Sequence, residues 1–82
     1  MTNGYMFSNR LELDAAIDLW TSIEAYATIV YGEINTWDVS AITDFSDLFY
    51  DKDDFNSDIS SWDVSNGRNF YRMFANAHLS LI

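Results

Sequence analysis

The sequence contains no cysteine and a single histidine, and these two scarcities exclude several kinds of site. Without cysteine the chain can form neither a disulfide nor a thiolate metal site. His78 has no second nitrogen or sulfur ligand at a regular spacing, so we expect no zinc site. A serine triad would have to be built on this same histidine near the end of the chain. We therefore predict no catalytic residue, no cofactor and no metal site, and hence no enzyme.

Basic residues are also scarce. Four Lys and Arg residues against thirteen Asp and Glu residues give a net charge of −9. The phosphate backbone of a nucleic acid would repel such a chain, and an anionic membrane surface would do the same. Only three glycines are present, and they form no glycine-rich phosphate-binding loop. These features predict no nucleic-acid partner and no membrane insertion.

Long apolar runs are missing as well. The first ten residues contain none, and nowhere do 18 apolar residues follow one another, so we expect neither a signal peptide nor a membrane span. A cytoplasmic or virion location is therefore expected rather than direct secretion. The 82 residues are enough for one domain, and 49% hydrophobic with 17% aromatic content favours a packed core over disorder.

The most informative feature that is present is an internal repeat. The tetrapeptide WDVS occurs at 37–40 and again at 62–65, an offset of 25 residues. At the same offset Phe45, Leu48 and Phe49 return as Phe70, Met73 and Phe74. A fixed period of this size is typical of stacked repeat architectures.

Two helices are predicted before the repeat. Asn9 and Glu12 have the spacing of a capping box, and an apolar stripe of helical period then predicts a helix from Arg10 to Trp20, with Leu13, Ala16, Ile17 and Trp20 on its buried face. Thr21 with Glu24 resembles a second capping box, and Gly32 is a residue suited to a left-handed C-terminal cap. The second helix is thus predicted from Ser22 to Tyr31, with Ile23, Tyr26, Ala27 and Val30 as its apolar stripe.

Within each repeat the pattern predicts a short extended segment followed by a short helix. Residues 34–39 alternate between apolar and polar, which is typical of an extended segment with one buried face. Ile42, Phe45 and Phe49 then follow at helical spacing, and a matching helix is predicted from Arg68 to Ala75, with Phe70, Met73 and Phe74 facing inward. The predicted fold class is α+β, a short solenoid of two repeats. Its single domain, 1–82, consists of a helical cap (8–32), a first repeat (33–58) and an incomplete second repeat (59–82).

The repeated pattern resembles that of the BspA-like (DUF285) surface-protein family. The matching positions are Ile34, 37–40, 42–45, 48–49, 55–56, 58–60, 62–66, 69–70 and 73–74, and the segment LDAAIDLW resembles the start of such arrays. The resemblance covers roughly residues 8–78. It implies a leucine-rich-repeat-like solenoid that acts in adhesion or protein–protein interaction, with no enzymatic residues.

Three local motifs allow a functional and a structural interpretation. The segment DFNSD at 54–58 opens like a calcium loop, but Ile59 and Ser65 occupy the positions where an EF-hand needs Gly and Glu. Asn56 and Asp58 are therefore expected to hold a turn through side-chain-to-backbone bonds. Trp37 and Trp62 could stack on a sugar, but their equivalent positions favour a buried column. Asp38 and Asp63 are expected to accept amide hydrogen bonds.

A contact surface is predicted at the C-terminal end. Arg68 and Arg72 are two of the four basic residues, and the apolar residues Leu79, Leu81 and Ile82 follow them. Exposed apolar residues of this kind mark contact surfaces, so we predict that these five residues contact a protein partner, either a second copy or a larger protein. The predicted function is that of a non-enzymatic interaction module, a small structural subunit such as a virion decoration protein. The alternative is a cell-surface adhesion fragment that binds a host protein or glycan.

Overall fold

The computed structural model describes residues 4–52 and 55–75. Helix α1 spans Arg10–Ser22, helix α2 spans Glu24–Tyr31, and a short 3₁₀ helix spans Ile34–Thr36. The other described residues form turns and irregular segments. None of the helices in these residues has the length and apolar character that crossing a bilayer requires.

Helix α1 follows its prediction closely. The Asn9 side chain accepts a hydrogen bond from the Glu12 amide at 2.9 Å, and the Glu12 carboxylate accepts one from the Ser8 amide at 2.9 Å. The predicted N-terminal cap is thus confirmed, with the return bond going to Ser8. The four predicted core residues Leu13, Ala16, Ile17 and Trp20 are all buried, because their spacing places them on one helical face.

The second predicted capping box is wrong. The residue before α2 is Ile23, whose apolar side chain makes no cap bond. The Thr21 hydroxyl donates to the Ile17 carbonyl within α1 at 2.9 Å and does not cap α2. Ser and Thr commonly make this backward bond inside a helix. At the other end of α2 the glycine prediction is confirmed in part, since Gly32 has a positive φ of 82° but an extended ψ of 179°.

The apolar stripe predicted for α2 is largely exposed. Ala27 is buried, whereas Ile23, Tyr26 and Val30 are exposed. Helical spacing indicates that an apolar face exists, but it does not show that another element covers that face. Helix α2 contacts α1, and of its residues only the small Ala27 is buried.

The predicted α+β solenoid is wrong. The described residues contain no β-strand and no sheet, only isolated bridges between Met6 and Asp38 and between Asp44 and Asn69. The segment 34–39, predicted as extended, begins with the 3₁₀ helix Ile34–Thr36. Residues three apart lie on the same face of a 3₁₀ turn, so Ile34 and Trp37 are both buried without a strand.

The two short helices predicted within the repeats are also absent from the described chain. Consecutive turns occupy residues 46–51 and 71–75 instead. Asp47 and Arg72, at equivalent positions, have left-handed φ angles of 59° and 53°. A left-handed residue interrupts a right-handed helix, so each segment folds into separate turns. We call residues 44–51 and 69–75 the turn segments.

Equivalent aromatic rings of the two sequence repeats are stacked. The ring centroids lie 6.4 Å apart for Trp37 and Trp62, 5.3 Å for Phe45 and Phe70, and 5.3 Å for Phe49 and Phe74. Both tryptophans are buried. The predicted tryptophan column is therefore confirmed, and these indole rings are not exposed platforms for a sugar.

Candidate functional site

Residues at equivalent positions of the two repeats differ sharply in exposure. Phe45 and Phe49 have no exposed surface, whereas Phe70 is 44% exposed and Phe74 is 36% exposed. The Phe70 and Phe74 rings cover the rings of the first repeat, and no described element covers them in turn. Phe70 and Phe74 were predicted to face inward. One face of each ring does pack on the first repeat, but the other face is exposed, so the prediction of full burial is wrong for these two residues, whereas Met73 is buried.

The uncovered end of the second repeat forms a shallow apolar depression. Its volume is about 240 Å³, and it is lined by Ile59, Trp62, Val64, Phe70, Met73 and Phe74. We call these six residues the open face. Ile59 and Val64 are half-buried here, whereas their counterparts Ile34 and Val39 are fully buried. None of the six side chains is titratable, so the open face is suited to apolar contact.

Arg72, one of the predicted contact residues, is held within the molecule. Its Nε lies 3.0 Å from Oδ1 of Asp47 in the first repeat, and its guanidinium lies over the Tyr50 ring at 4.8 Å and the Tyr71 ring at 5.1 Å. The hydrogen bond that the Arg72 guanidinium donates to the Asp47 carboxylate is the largest cause that raises the pKa of Arg72 above its usual value. Arg72 therefore joins the two turn segments through an ion pair with Asp47 and a cation–π contact with Tyr50.

The other predicted contact residues are Arg68 and three residues near the C-terminus. Arg68 is exposed, and its amide donates to the Thr43 carbonyl at 2.7 Å. Its guanidinium forms no ion pair within residues 4–52 and 55–75. Leu79, Leu81 and Ile82 lie outside the described residues. The assignment of these residues to a contact surface stays a prediction.

Aspartates two residues before a serine recur along the chain. Asp38 Oδ1 accepts hydrogen bonds from the Ser40 amide at 3.0 Å and hydroxyl at 2.6 Å, and Asp63 does the same with Ser65 at 3.0 and 2.6 Å. The expected role of Asp38 and Asp63 is thus confirmed. The serine hydroxyl bond first, and the amide bond second, lower the pKa of both carboxyl groups below the usual value.

The same turn occurs at two further aspartates. Asp44 pairs with Ser46, whose hydroxyl is the larger cause of the lowered pKa of Asp44. Asp58 accepts the Ser60 amide at 2.8 Å, and this bond is the larger cause of its lowered pKa. The expectation that Asp58 holds a turn is confirmed, and its Oδ1 oxygen accepts the Ser60 amide.

The described residues bring together no group of three or more acidic or histidine side chains that could hold a metal ion. Of the residues weighed for metal binding or catalysis, Asp54 and His78 lie outside the described residues. A second depression of about 170 Å³ is lined by Trp20, Thr21, Ser22, Glu24, Phe55 and Ser57. There the Trp20 indole donates to the Ser57 hydroxyl at 3.0 Å, and Glu24 is the only titratable residue of the lining.

Sequence reasoning placed the contact surface at the C-terminal end of the stack, in Arg68, Arg72, Leu79, Leu81 and Ile82, and did not name the residues of the open face. The signal was in the repeat, because Phe70 and Phe74 stack on Phe45 and Phe49, the rings 25 residues earlier in the sequence. It follows that the outermost copy presents its rings to whatever lies next to it. The exposed stripe of α2 was missed for another reason, since helical spacing does not identify a covering partner.

A family model described as "Mycoplasma protein of unknown function, DUF285" matches residues 4–79. No curated protein and no solved structure gives a significant match.

Proposed function

The chain belongs to the DUF285 family, and we propose that it is a non-enzymatic module that binds another protein through the open face. In this role it acts as a small structural subunit of a larger assembly. The observation that carries the proposal is the difference in exposure between equivalent rings. Phe45 and Phe49 are fully buried under the second repeat, whereas Phe70 and Phe74 are 44% and 36% exposed.

The composition of the open face supports binding. Large aromatic side chains are enriched among the residues that contribute most to binding energy, and the face contains Trp62, Phe70 and Phe74. Contiguous apolar surface on a folded protein marks interaction sites. A partner that covers the two phenylalanines would bury them as they bury Phe45 and Phe49.

Site-directed photo-crosslinking tests the proposal. A photoreactive phenylalanine analogue, p-benzoylphenylalanine, replaces Phe70 in one variant and Leu11 in a matched control, since Leu11 lies on α1 and is 81% exposed. Each variant is irradiated as the purified chain and in extract of the native source. We expect position 70 to give a discrete protein adduct, with a second copy or with another protein, that position 11 does not give.

A competition experiment completes the test. Unlabelled wild-type chain should abolish the adduct, whereas unlabelled chain with Phe70→Ser and Phe74→Ser should not. Tryptophan fluorescence of the competitor verifies that Trp37 and Trp62 remain buried. If position 70 gives no adduct, or gives the same adducts as position 11, the proposed function is wrong.

A further inference from the structure

The outward side of helix α2 is apolar. Ala27 is the buried residue of this helix, and Ala25 and Ile29 lie two positions before and after it. With 3.6 residues per turn these two positions point away from Ala27, and Ile29 is accordingly 79% exposed. Three further large apolar side chains of the helix region are exposed as well. We call the four large exposed residues Ile23, Tyr26, Ile29 and Val30 the α2 face.

This arrangement differs from that of an ordinary surface helix. Such a helix directs its apolar side chains to the core and its charged and polar side chains to water. In α2 the outward positions of Tyr26 and Ile29 are apolar, and the one charged residue, Glu24, lies in the first turn. Contiguous exposed apolar side chains mark contact surfaces. The α2 face is therefore suited to contact with another molecule.

Acidic residues lie at both ends of the α2 face. Glu24 is in the first turn of the helix, and Glu33 follows the C-terminal cap residue Gly32. Both glutamates are exposed, and neither forms an ion pair within residues 4–52 and 55–75. The last turn of α2 contains no basic residue, although the C-terminal end of a helix carries partial negative charge. This end of the face therefore favours a cation.

The chain places its nearest basic residues in sequence elsewhere. Between Arg10 and Lys52 the sequence contains no Lys or Arg, but it contains nine Asp and Glu residues. Arg10 Nε lies 2.8 Å from Asp14 Oδ1, and Lys52 Nζ lies 2.7 Å from Asp18 Oδ1. These two cations therefore pair with acids of α1.

We propose that the α2 face binds a basic amphipathic segment of another protein, in which apolar side chains at helical spacing are flanked by Lys or Arg. Its apolar side chains cover Tyr26 and Ile29, and its cations lie against Glu24 and Glu33. Helix α2 is about 12 Å long, so a partner helix of three turns reaches both acids. The α2 face shares no residue with the open face, so this inference does not depend on the function proposed above.

Charge complementarity is the reason for choosing this partner. Opposite charges across an interface favour association, and like charges oppose it. Two copies of the chain that met through their α2 faces would bring Glu24 and Glu33 of both copies together, without a basic residue on either helix. A basic partner instead supplies the charge that both ends of the face lack.

A peptide-binding experiment tests the apolar part of the face. The probe is a fluorescent 14-residue helical peptide of Leu and Lys with one apolar side, and its counterpart has Glu in place of Lys. Fluorescence anisotropy should show that the 82-residue chain binds the Glu peptide at least about tenfold more weakly than the Lys peptide. Tyr26→Ser with Ile29→Ser should weaken binding of the Lys peptide by at least about tenfold.

The matched control for this double variant is Leu11→Ser with Tyr71→Ser. It also replaces one aliphatic residue and one tyrosine, which are 81% and 66% exposed, and it should change the affinity by no more than about twofold. Tryptophan fluorescence verifies that both variants are folded. Equal weakening by the two double variants would refute the α2 face as the binding surface.

A pair of charge variants tests the acidic part. Glu33→Gln should weaken binding of the Lys peptide by about two- to fivefold, and about 0.5 M salt should remove this difference. Asp63→Asn removes the same charge from the second repeat and should leave the affinity unchanged. Equal effects of the two substitutions would show that the peptide responds to the net charge of −9, and the proposed complementarity would then be wrong.

Thiol labelling and sedimentation test the occupant. Because the chain has no cysteine, Ile29→Cys and Leu11→Cys each introduce a single thiol. A small thiol reagent should modify both positions at similar rates, and the Lys peptide should protect position 29 alone. Protection of position 29 in the purified chain would show that the chain itself or a second copy covers the face, and the proposal would be wrong.

Two further outcomes would assign the face to a different occupant. A dimer in sedimentation velocity that Tyr26→Ser with Ile29→Ser dissociates would replace the proposed partner with a second copy. Binding to phosphatidylcholine vesicles that the same variant abolishes would replace it with a lipid surface. We expect a monomer and no vesicle binding.

Discussion

Asp47 and Arg72 occupy the same position in the two repeats, share a left-handed backbone, and form an ion pair with each other. Their φ angles are 59° and 53°, and Arg72 Nε lies 3.0 Å from Asp47 Oδ1. The repeated backbone places the two side chains next to each other, and the change from acid to base between the copies turns a repulsive pair into an attractive one. The sequence difference thus stabilises the contact between the repeats.

A double-mutant cycle measures this ion pair. Asp47→Asn and Arg72→Met keep the size of both side chains, and we expect a coupling free energy of unfolding below about 1 kcal/mol because both groups are partly exposed. The coupling should fall in about 0.5 M salt, which screens exposed charges. Urea unfolding of the four proteins gives the value, and a coupling that salt leaves unchanged would contradict the electrostatic origin.

Trp62 is expected to contribute more to stability than any exposed residue. Its ring stacks on Trp37, and its indole donates to the Ile34 carbonyl at 2.8 Å. Trp62→Ala should lower the free energy of unfolding by about 3–5 kcal/mol. Trp62→Phe keeps a ring but loses the hydrogen bond, and it should cost about 1–3 kcal/mol. Urea unfolding checks both values.

The control for this prediction lies on α2. Ile29 is 79% exposed, so Ile29→Ala should change the free energy of unfolding by no more than about 0.5 kcal/mol. Equal effects of Ile29→Ala and Trp62→Ala would show that the tryptophan column is not part of the core.

Gly67 stands where the first repeat has Ile42, and the Phe70 ring occupies the space of the missing side chain. A Cβ at position 67 would lie 2.3 Å from Cζ of Phe70 and 3.0 Å from Cδ2 of Phe45. Gly67→Ala should therefore push the Phe70 ring off Phe45, at a cost of about 0.5–1.5 kcal/mol from the lost stacking. Thermal unfolding measures the cost.

The same substitution in a Phe70→Ala background isolates the cause. Because the obstructing ring is then gone, Gly67→Ala should cost clearly less there than in the wild-type chain. A cost that is the same in both backgrounds would mean that the backbone at Gly67, rather than the Phe70 ring, opposes the substitution.

Acid should weaken the fold through the aspartate–serine turns. The pKa values of Asp38, Asp44, Asp58 and Asp63 are lowered in the folded chain. Each turn therefore contributes its full stability above the unfolded pKa of about 4 and loses it as the pH falls through the lower, folded pKa. Protonation also relieves repulsion in a chain of net charge −9, so the test compares two proteins over the same pH range.

Asp38→Asn is the matched variant for that test. An amide oxygen can fill this role, since Asn69 accepts the Tyr71 amide at 3.0 Å in an equivalent turn. The variant should be less stable than wild type at pH 7, and the difference should shrink as the pH falls below about 4. Thermal unfolding from neutral to acidic pH checks this, and a constant difference would show that the charge of Asp38 has no role.

Helix α1 was predictable from the sequence because the interactions that form it join residues close together in the chain. The buried face of α1 and its Asn9 cap follow from residues within a few positions of one another. The tryptophan column was predictable because identical residues at a fixed offset meet when copies stack. The α2 stripe and the outward surface of Phe70 were not predictable in this way, since burial depends on what lies on the other side.

The sequence by itself determined which residues become neighbours, namely those 25 positions apart, and which face of α1 enters the core. Only the tertiary structure decided that the repeats contain turns instead of strands and helices. The physical reason is that amides such as those of Phe45 and Phe49 bond to carbonyls 24 residues away. Local spacing of apolar residues carries no information about such distant hydrogen bonds.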